Sequence, residues 1–287
     1  MKKLKIVLPI AMVLAIFAAL TLVIHLNSDK LFVFFEETGW FLKKREIKTV
    51  VPGALDEYSV DELESDPRVS FDRSLMLINT EYMLDDSFTA QVEEYKDTDV
   101  YMDSAMISSY FELSSAVKEK FNKKLYVSSD FRDYEEQNAL YLEDPLTATV
   151  PGASEHQTGL ALDVYVAYFA GDGFIKSPEG RFVDSECWQY GFIVRYPSFG
   201  EDMTGIRFEP WHIRYVGKPH AEIIYNNQLT LEEYILSMEI DAWYEAEGYL
   251  ICRQALSEQG TLTLPEGFKS CTVSPDNTGY YIVTVEK

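Results

Sequence analysis

The sequence predicts an α+β chain, and three stretches carry that prediction. Across residues 160–164, apolar Leu160, Leu162 and Val164 alternate with Gly159, Ala161 and Asp163, the period of a strand with two distinct faces. Residues 103–121 instead place Met106, Tyr110, Leu113, Ala116 and Val117 at helical intervals, with Asp103 or Ser104 as the cap. Residues 239–287 change texture again. Strand-like runs at 248–252, 261–264, 271–273 and 280–285 are separated by Pro-Glu-Gly and Ser-Pro-Asp-Asn-Thr-Gly turns, as a small β appendage would be.

Taken in order, residues 1–26 read as a separate object. Lys2, Lys3 and Lys5 precede residues 6–24, a run of 19 without a charge, about the length that crosses a bilayer as a helix. Basic flanks stay inside, so the expectation is a single-pass cell-membrane anchor with everything beyond it extracytoplasmic. The competing reading is a cleaved signal peptide. The run is long for an h-region of about 7 to 15 residues and holds no A-x-A site.

Residues 27–69 read as a linker or stalk packing partly on the domain, with an aromatic stretch at 31–40, a Pro-Gly turn at 52–53 and an acidic run at 56–66. The domain proper spans 70–238 and opens on residues 75–79 as its first strand-like element. Residues 125–127 form a strand leading to Arg132, followed by a helix through Glu135, Gln137 and Leu140. Residues 169–181, with three glycines and Pro178, read as a loop long enough to border a cleft. A short helix at 183–190, a strand at 192–196, a helix opened by Pro219 and His220, and an apolar-faced segment at 231–238 complete it.

Composition limits the partners. At 287 residues with 47% hydrophobic and 14% aromatic content, the chain can bury one good-sized core and a small appendage. Its net charge of -22 repels nucleic acid and anionic lipid alike, so the apolar anchor rather than a basic patch would hold it at the membrane. The three cysteines, Cys187, Cys252 and Cys271, lack metal-cluster spacing. Cys252 and Cys271 fall in neighbouring strand-like runs, where a disulfide is one alternative. Cys187, beside Trp188, reads as a small buried hydrophobe.

The chemistry concentrates in Ser154-Glu155-His156-Gln157-Thr158-Gly159-Leu160-Ala161-Leu162-Asp163 and in Glu209-Pro210-Trp211-His212. A zinc hydrolase takes three ligands from His and carboxylate side chains, keeps one position open and needs a nearby base. His156, Asp163 and His212 are the candidate ligands and Glu209 the candidate base. A lone His is usually just a hydrogen-bonded polar residue, and a Glu-Pro pair is usually a turn. Yet the chain has only four histidines, and two of them fall in these motifs, each with its carboxylate. His220 belongs to no motif and reads as structural. Glu209 and His212 would point to opposite faces of a regular strand, so Pro210 must mark a strand start or bend.

Both motifs resemble the VanY-like zinc D-alanyl-D-alanine carboxypeptidases, in the superfamily that also holds lysostaphin-type endopeptidases and the hedgehog signalling domain. Residues 128–132 with Gln137, residues 190–197, Thr204-Gly205 and residues 214–217 stand in the family's order, and the similarity covers about residues 70–238. Asp130-Phe131 departs from the Gly-Tyr that commonly precedes the arginine. The resemblance implies a small antiparallel sheet with flanking helices, Zn2+ as cofactor, and removal of the terminal D-alanine from peptidoglycan stem peptides. It implies Arg132 as the holder of substrate charge and Ser154 and Gln137 as substrate contacts. An L,D-carboxypeptidase acting on tetrapeptide stems is the rival within the class. A non-catalytic wall-binding module with structural zinc is the rival outside it, and Glu209 argues against that one, since a structural site needs no base.

Overall fold

The computed structural model describes residues 16–24, 26–39, 47–85 and 87–287. Residues 1–15 and 25 of the expected anchor lie outside the described residues. The chain divides into two compact units, Met1–Leu42 and Lys43–Lys287. In the first, a helix covers Ser28–Gly39, where the sequence suggested only an aromatic stretch in a linker. No single helix among the described residues is long and apolar enough to cross a membrane. Ile16–Ile24 and Ser28–Glu36 pass that test only as a pair bent by 65°.

In the second unit the strands follow as β1 (Lys48–Val50), β2 (Leu55–Ser59), β3 (Val69–Phe71), β4 (Val92–Glu94), β5 (Tyr101–Asp103), β6 (Tyr126–Ser129), β7 (Ala161–Tyr165), β8 (Phe192–Val194), β9 (His212–Tyr215), β10 (Trp243–Ala246), β11 (Tyr249–Gln254), β12 (Thr261–Pro265), β13 (Cys271–Pro275) and β14 (Tyr281–Glu286). The sheet that matters for chemistry has the order β6-β7-β9-β8 and is antiparallel throughout. One face of it is buried. Leu162, Val164, Ile213 and Phe192 pack on Met106, Tyr110, Leu113 and Val117 and on Phe174 and Val183. Burying each such side chain contributes about 1.5–3 kcal/mol. A one-residue slip of β7 would drive Asp163 into that core, so the leucines fix which way the carboxylate points. The helix Ile107–Phe121 that covers this face is preceded by a 3-10 turn at Ser104–Met106 whose cap is Asp103, accepting from the Ala105 amide at 2.9 Å.

The second large sheet has the order β1-β10-β11-β14-β13-β3. Its strand β1 comes from the stretch read as a stalk and β3 straddles the end of that stretch, while β2, also from it, pairs with β12. The tail strands are therefore not self-sufficient: most of their outer partners lie about 200 residues earlier, and the boundaries drawn at 69/70 and 238/239 do not divide the compact unit. Ile251 and Ile282 pack on Ile223, Ile224, Leu231 and Ile235 of the helices His220–Asn227 and Leu231–Leu236, joining this sheet to the rest of the unit. Cys252, Val273 and Val283 face the other way, onto Leu63, Leu262, Leu264 and Phe268.

Two expectations are corrected, and one open alternative is resolved. Residues 75–79 form no strand, although Leu75, Leu77 and Ile78 are buried. Isolated bonds, not a ladder, satisfy the backbone there: the Arg214 guanidinium donates to the Ser74 and Met76 carbonyls, the Leu75 amide donates to Ser274, and the Leu77 amide donates to the Asp276 carbonyl at 3.0 Å. Residues 169–181 wind into a 3-10 turn at Gly171–Lys176 and the start of the helix Pro178–Glu186, capped by Ser177, and do not line the cleft. Gly180 is required in that junction, because a Cβ there would meet the Phe174 carbonyl oxygen at 2.0 Å. Finally, all three cysteines are free and buried. Cys252 sits on β11 and Cys271 on β13, with β14 between them. Two strand spacings of about 4.8 Å exceed the roughly 7 Å that a disulfide can bridge between Cα atoms.

Candidate metal centre

The centre forms where β7 and β9 pair. Asp163 and His212 are direct cross-strand partners, and His156 is carried on the 3-10 turn Glu155–Thr158 that leads into β7. That turn ends at Gly159, whose φ of 75° lies in the left-handed region and whose missing side chain admits Val92 and the Asp103 amide. Cross-strand neighbours lie about 4.5–5.5 Å apart, which brings two donors together without further machinery. One ligand atom each of His156, Asp163 and His212 lies within 4.8 Å of the others. His212 Nδ1 is 3.1 Å and His156 Nε2 3.5 Å from the same Asp163 oxygen, Oδ1.

Those atoms fit a cation. Asp163 Oδ1 is buried and has no hydrogen-bond partner, which is costly for a carboxylate unless something positive takes it up. His156 and His212 outweigh the burial that would raise its pKa, holding the carboxyl well below the usual range. Burial pushes His156 down, keeping its imidazole neutral, as a ligand must be. Burial also opposes charge on His212, but Asp163 and Glu155 outweigh it and hold that ring up to about 9, a surplus of negative charge that suits a divalent ion. The His156 tautomer follows from its neighbour. Nδ1 lies 2.8 Å from the Asp130 carbonyl, an acceptor only, so Nδ1 carries the hydrogen and Nε2 faces the cluster with a free lone pair.

Glu209 lies in the turn before β9, with its amide bonded to the Tyr196 carbonyl. His212 in turn donates its amide to the Glu209 carbonyl at 3.1 Å, the bend that Pro210 announces. The Glu209 carboxylate stands 4.0 Å from His212 Nδ1, beside the cluster and outside its ligand set. Burial, ahead of its charged neighbours, raises its pKa.

The cleft of about 210 Å³ is lined by Arg132, Gln137, Ser154, His156, Asp163, Glu209, Trp211 and His212, so every residue singled out as a ligand, base or substrate contact meets in one place. Arg132 donates to neutral acceptors only: Nε to Gln137 Oε1 at 2.9 Å, Nη1 to Ser129 and Nη2 to Ser154 at 3.4 Å. Gln137 is buried, and its amide is taken by Arg132 and by the Thr149 carbonyl at 2.6 Å. It thereby sets the Arg132 fork at the edge of the cleft. His220 stays outside the cleft, buried between the Tyr234 hydroxyl at 2.7 Å and Thr284 at 3.0 Å.

One residue of the centre carried no assigned role in the sequence reading. Glu155, completely buried, lies behind His212, with Oε2 3.7 Å from His212 Nε2. Its Oε1 accepts from Arg195 at 2.7 Å and from Arg214 at 2.6 Å. An acidic residue before a metal-ligand His is the available signal, but three residues spread over sixty positions hide the cluster from any local pattern.

Comparison with known proteins agrees with this geometry. The family described as VanY, D-alanyl-D-alanine carboxypeptidase, matches residues 99–218. A D-alanyl-D-alanine carboxypeptidase of Enterococcus faecium is 34% identical over 197 residues, 66% of this chain and 63% of that protein. The bifunctional D-Ala-D-Ala dipeptidase and D-Ala-D-Ala carboxypeptidase VanXYC of Enterococcus gallinarum is 35% identical over 154 residues, 49% of this chain and 80% of that protein. Among solved structures, the vancomycin resistance D,D-dipeptidase VanXYg in complex with a D-Ala-D-Ala phosphinate analogue shares the fold. Its TM-score is 0.62 at 24% identity, over 85% of this chain and all of that one.

Proposed function

The chain belongs to the VanY family of D-alanyl-D-alanine carboxypeptidases, and on that premise we propose that it is a zinc D,D-carboxypeptidase releasing the terminal D-alanine of peptidoglycan stem peptides. The observation that carries the substrate side is the placement of Arg132. Its guanidinium opens onto the same cleft as the three ligands and Glu209, and no carboxylate among the described residues is bonded to it. A planar fork of this kind matches a free carboxylate, the group an exopeptidase must read.

His156 through Nε2, Asp163 through Oδ1 and His212 through Nδ1 would hold the zinc. When bound, the ion acidifies water and polarises a carbonyl. The chain's own residues do the rest. Arg132, set by Gln137 and Ser154, fixes the terminal carboxylate and so the scissile bond. Glu209 takes one proton from the attacking water as the water oxygen bonds to the carbonyl carbon. The C–N bond then breaks with its electron pair passing to nitrogen, and Glu209 returns the proton there, releasing D-alanine and the shortened stem.

The reading extends to location: a single-pass anchor within residues 1–26, with the catalytic unit extracytoplasmic. Lys2, Lys3, Lys5 and the uncharged run that follows support it. A reporter fused after residue 42, active only outside the cytoplasm, tests it. Mass spectrometry of pentapeptide and tetrapeptide stems tests the activity. Alanine loss from the pentapeptide is expected. Preferential loss from the tetrapeptide would replace the reading with L,D-cleavage, and release of intact D-Ala-D-Ala would refute both.

A further inference from the structure

Two atoms behind the centre remain unexplained by the reaction. Glu155 Oε2 and His212 Nε2 are both buried, neither has a hydrogen-bond partner, and they face each other at 3.7 Å. Resting on the zinc reading above, we infer that Glu155 is a positioning residue for the ligand His212, and that it is itself held by a buried ion cluster reaching beyond the family-matched region.

The argument begins with charge. Arg195 Nε and Arg214 Nη1 both donate to Glu155 Oε1, so Glu155 is ionised and can only accept. A ring nitrogen facing an acceptor-only oxygen carries the hydrogen. His212 is thereby held in the Nε2–H tautomer, which leaves the Nδ1 lone pair for the ion. His156 uses the opposite nitrogen for the same reason, with the Asp130 carbonyl as its acceptor. Each histidine thus has its own acceptor, one neutral and one charged.

The charged one needs support. Arg195 continues from Glu155 to Glu232, donating to both of its oxygens at 2.8 and 2.6 Å. Asn79 donates to Glu232 Oε1 at 3.2 Å. Arg214 reaches the Ser74 and Met76 carbonyls at 2.9 and 2.8 Å. Two carboxylates and two guanidinium groups balance in charge, all of them buried. Ser74, Met76, Asn79 and Glu232 all lie outside residues 99–218. The irregular run at 75–79 and the helix Leu231–Leu236 therefore act on the metal centre through this cluster. Removing the Glu155 charge leaves one excess positive charge behind His212, where a cation must sit, because Arg195 keeps Glu232 but Arg214 loses its only carboxylate partner among the described residues.

The test uses the full chain and zinc itself. Zinc affinity, measured by chelator competition, is expected to fall about 10- to 100-fold in Glu155→Gln. Glu232→Gln should show a smaller fall in the same direction. Cobalt substitution gives a second readout: at saturation, the visible spectrum of Glu155→Gln should differ from wild type, because the His212 ring is differently held. If Glu155→Gln proves unstable, Glu155→Asp keeps the charge but withdraws it by one methylene, and its affinity should fall between the two. A folded Glu155→Gln with wild-type zinc affinity and an unchanged cobalt spectrum overturns the inference while leaving the zinc reading intact. A wild-type chain that binds no zinc overturns both.

Discussion

Replacing Arg132 by Lys probes substrate recognition most directly. The guanidinium is half-buried and spends Nε, Nη1 and Nη2 on Gln137, Ser129 and Ser154, so its orientation is fixed before substrate arrives. Burial lowers its pKa, yet Asp163, Asp130 and Glu136 favour the charge, and a guanidinium stays protonated in either case. A charge-assisted contact from such a fork is worth about 1.5–3 kcal/mol. Since 1.4 kcal/mol is tenfold, wild type should prefer a pentapeptide with a free terminus over its amide by roughly ten- to a hundred-fold in kcat/KM. Lysine keeps the charge but presents a single ammonium, unable to span three acceptors and a carboxylate together. Arg132→Lys should therefore lose about tenfold or more on the free acid and show a much smaller ratio between acid and amide. Both ratios are read by mass spectrometry of paired substrates at substrate concentrations below KM. If the ratio in Arg132→Lys equals that of wild type, Arg132 does not read the terminal carboxylate.

Purified protein should hold one zinc per chain by elemental analysis. Cys252→Ser and Cys271→Ser should leave that stoichiometry unchanged, both thiols being free and remote from the ligands. Glu209→Gln should retain zinc but lose about 10²- to 10⁴-fold in turnover, whereas His212→Ala should lose both; metal loss in Glu209→Gln would make Glu209 a ligand. His220 supplies a test of stability against pH. Burial holds it at about 3 against an ordinary 6.5, so below 6.5 the unfolded chain binds a proton that the folded chain refuses. That part of the stability is whole above 6.5 and declines as pH falls towards 3, costing about 2–3 kcal/mol by pH 4.5. The urea midpoint should shift over this range less in His220→Gln than in wild type, and an equal shift would contradict the assignment.

The ligand set was legible because its determinants are local. Alternation around Asp163 states which side of a strand is apolar, and a bend at Pro210 explains how Glu209 and His212 serve one cleft; both hold in the folded chain. The helix Ile107–Phe121 was likewise visible, since its apolar periodicity and the Asp103 that caps the turn before it act within a few positions. Residues 75–79 show where local reading fails. An apolar run looks the same whether its backbone groups enter a ladder or its Leu75 amide donates to Ser274 and its carbonyls accept from Arg214, some 140 to 200 residues away. The same limit hid the partnership of β1 and β3 with the tail, because pairing between distant strands leaves no periodic mark on either. It also left Glu155 without a role. The sequence alone determines which atoms can hold an ion, through residue types set close together. The charge that orients one of those atoms is that of Glu155, held by Arg195, Arg214 and Glu232, and only tertiary folding brings such widely separated groups into one buried cluster.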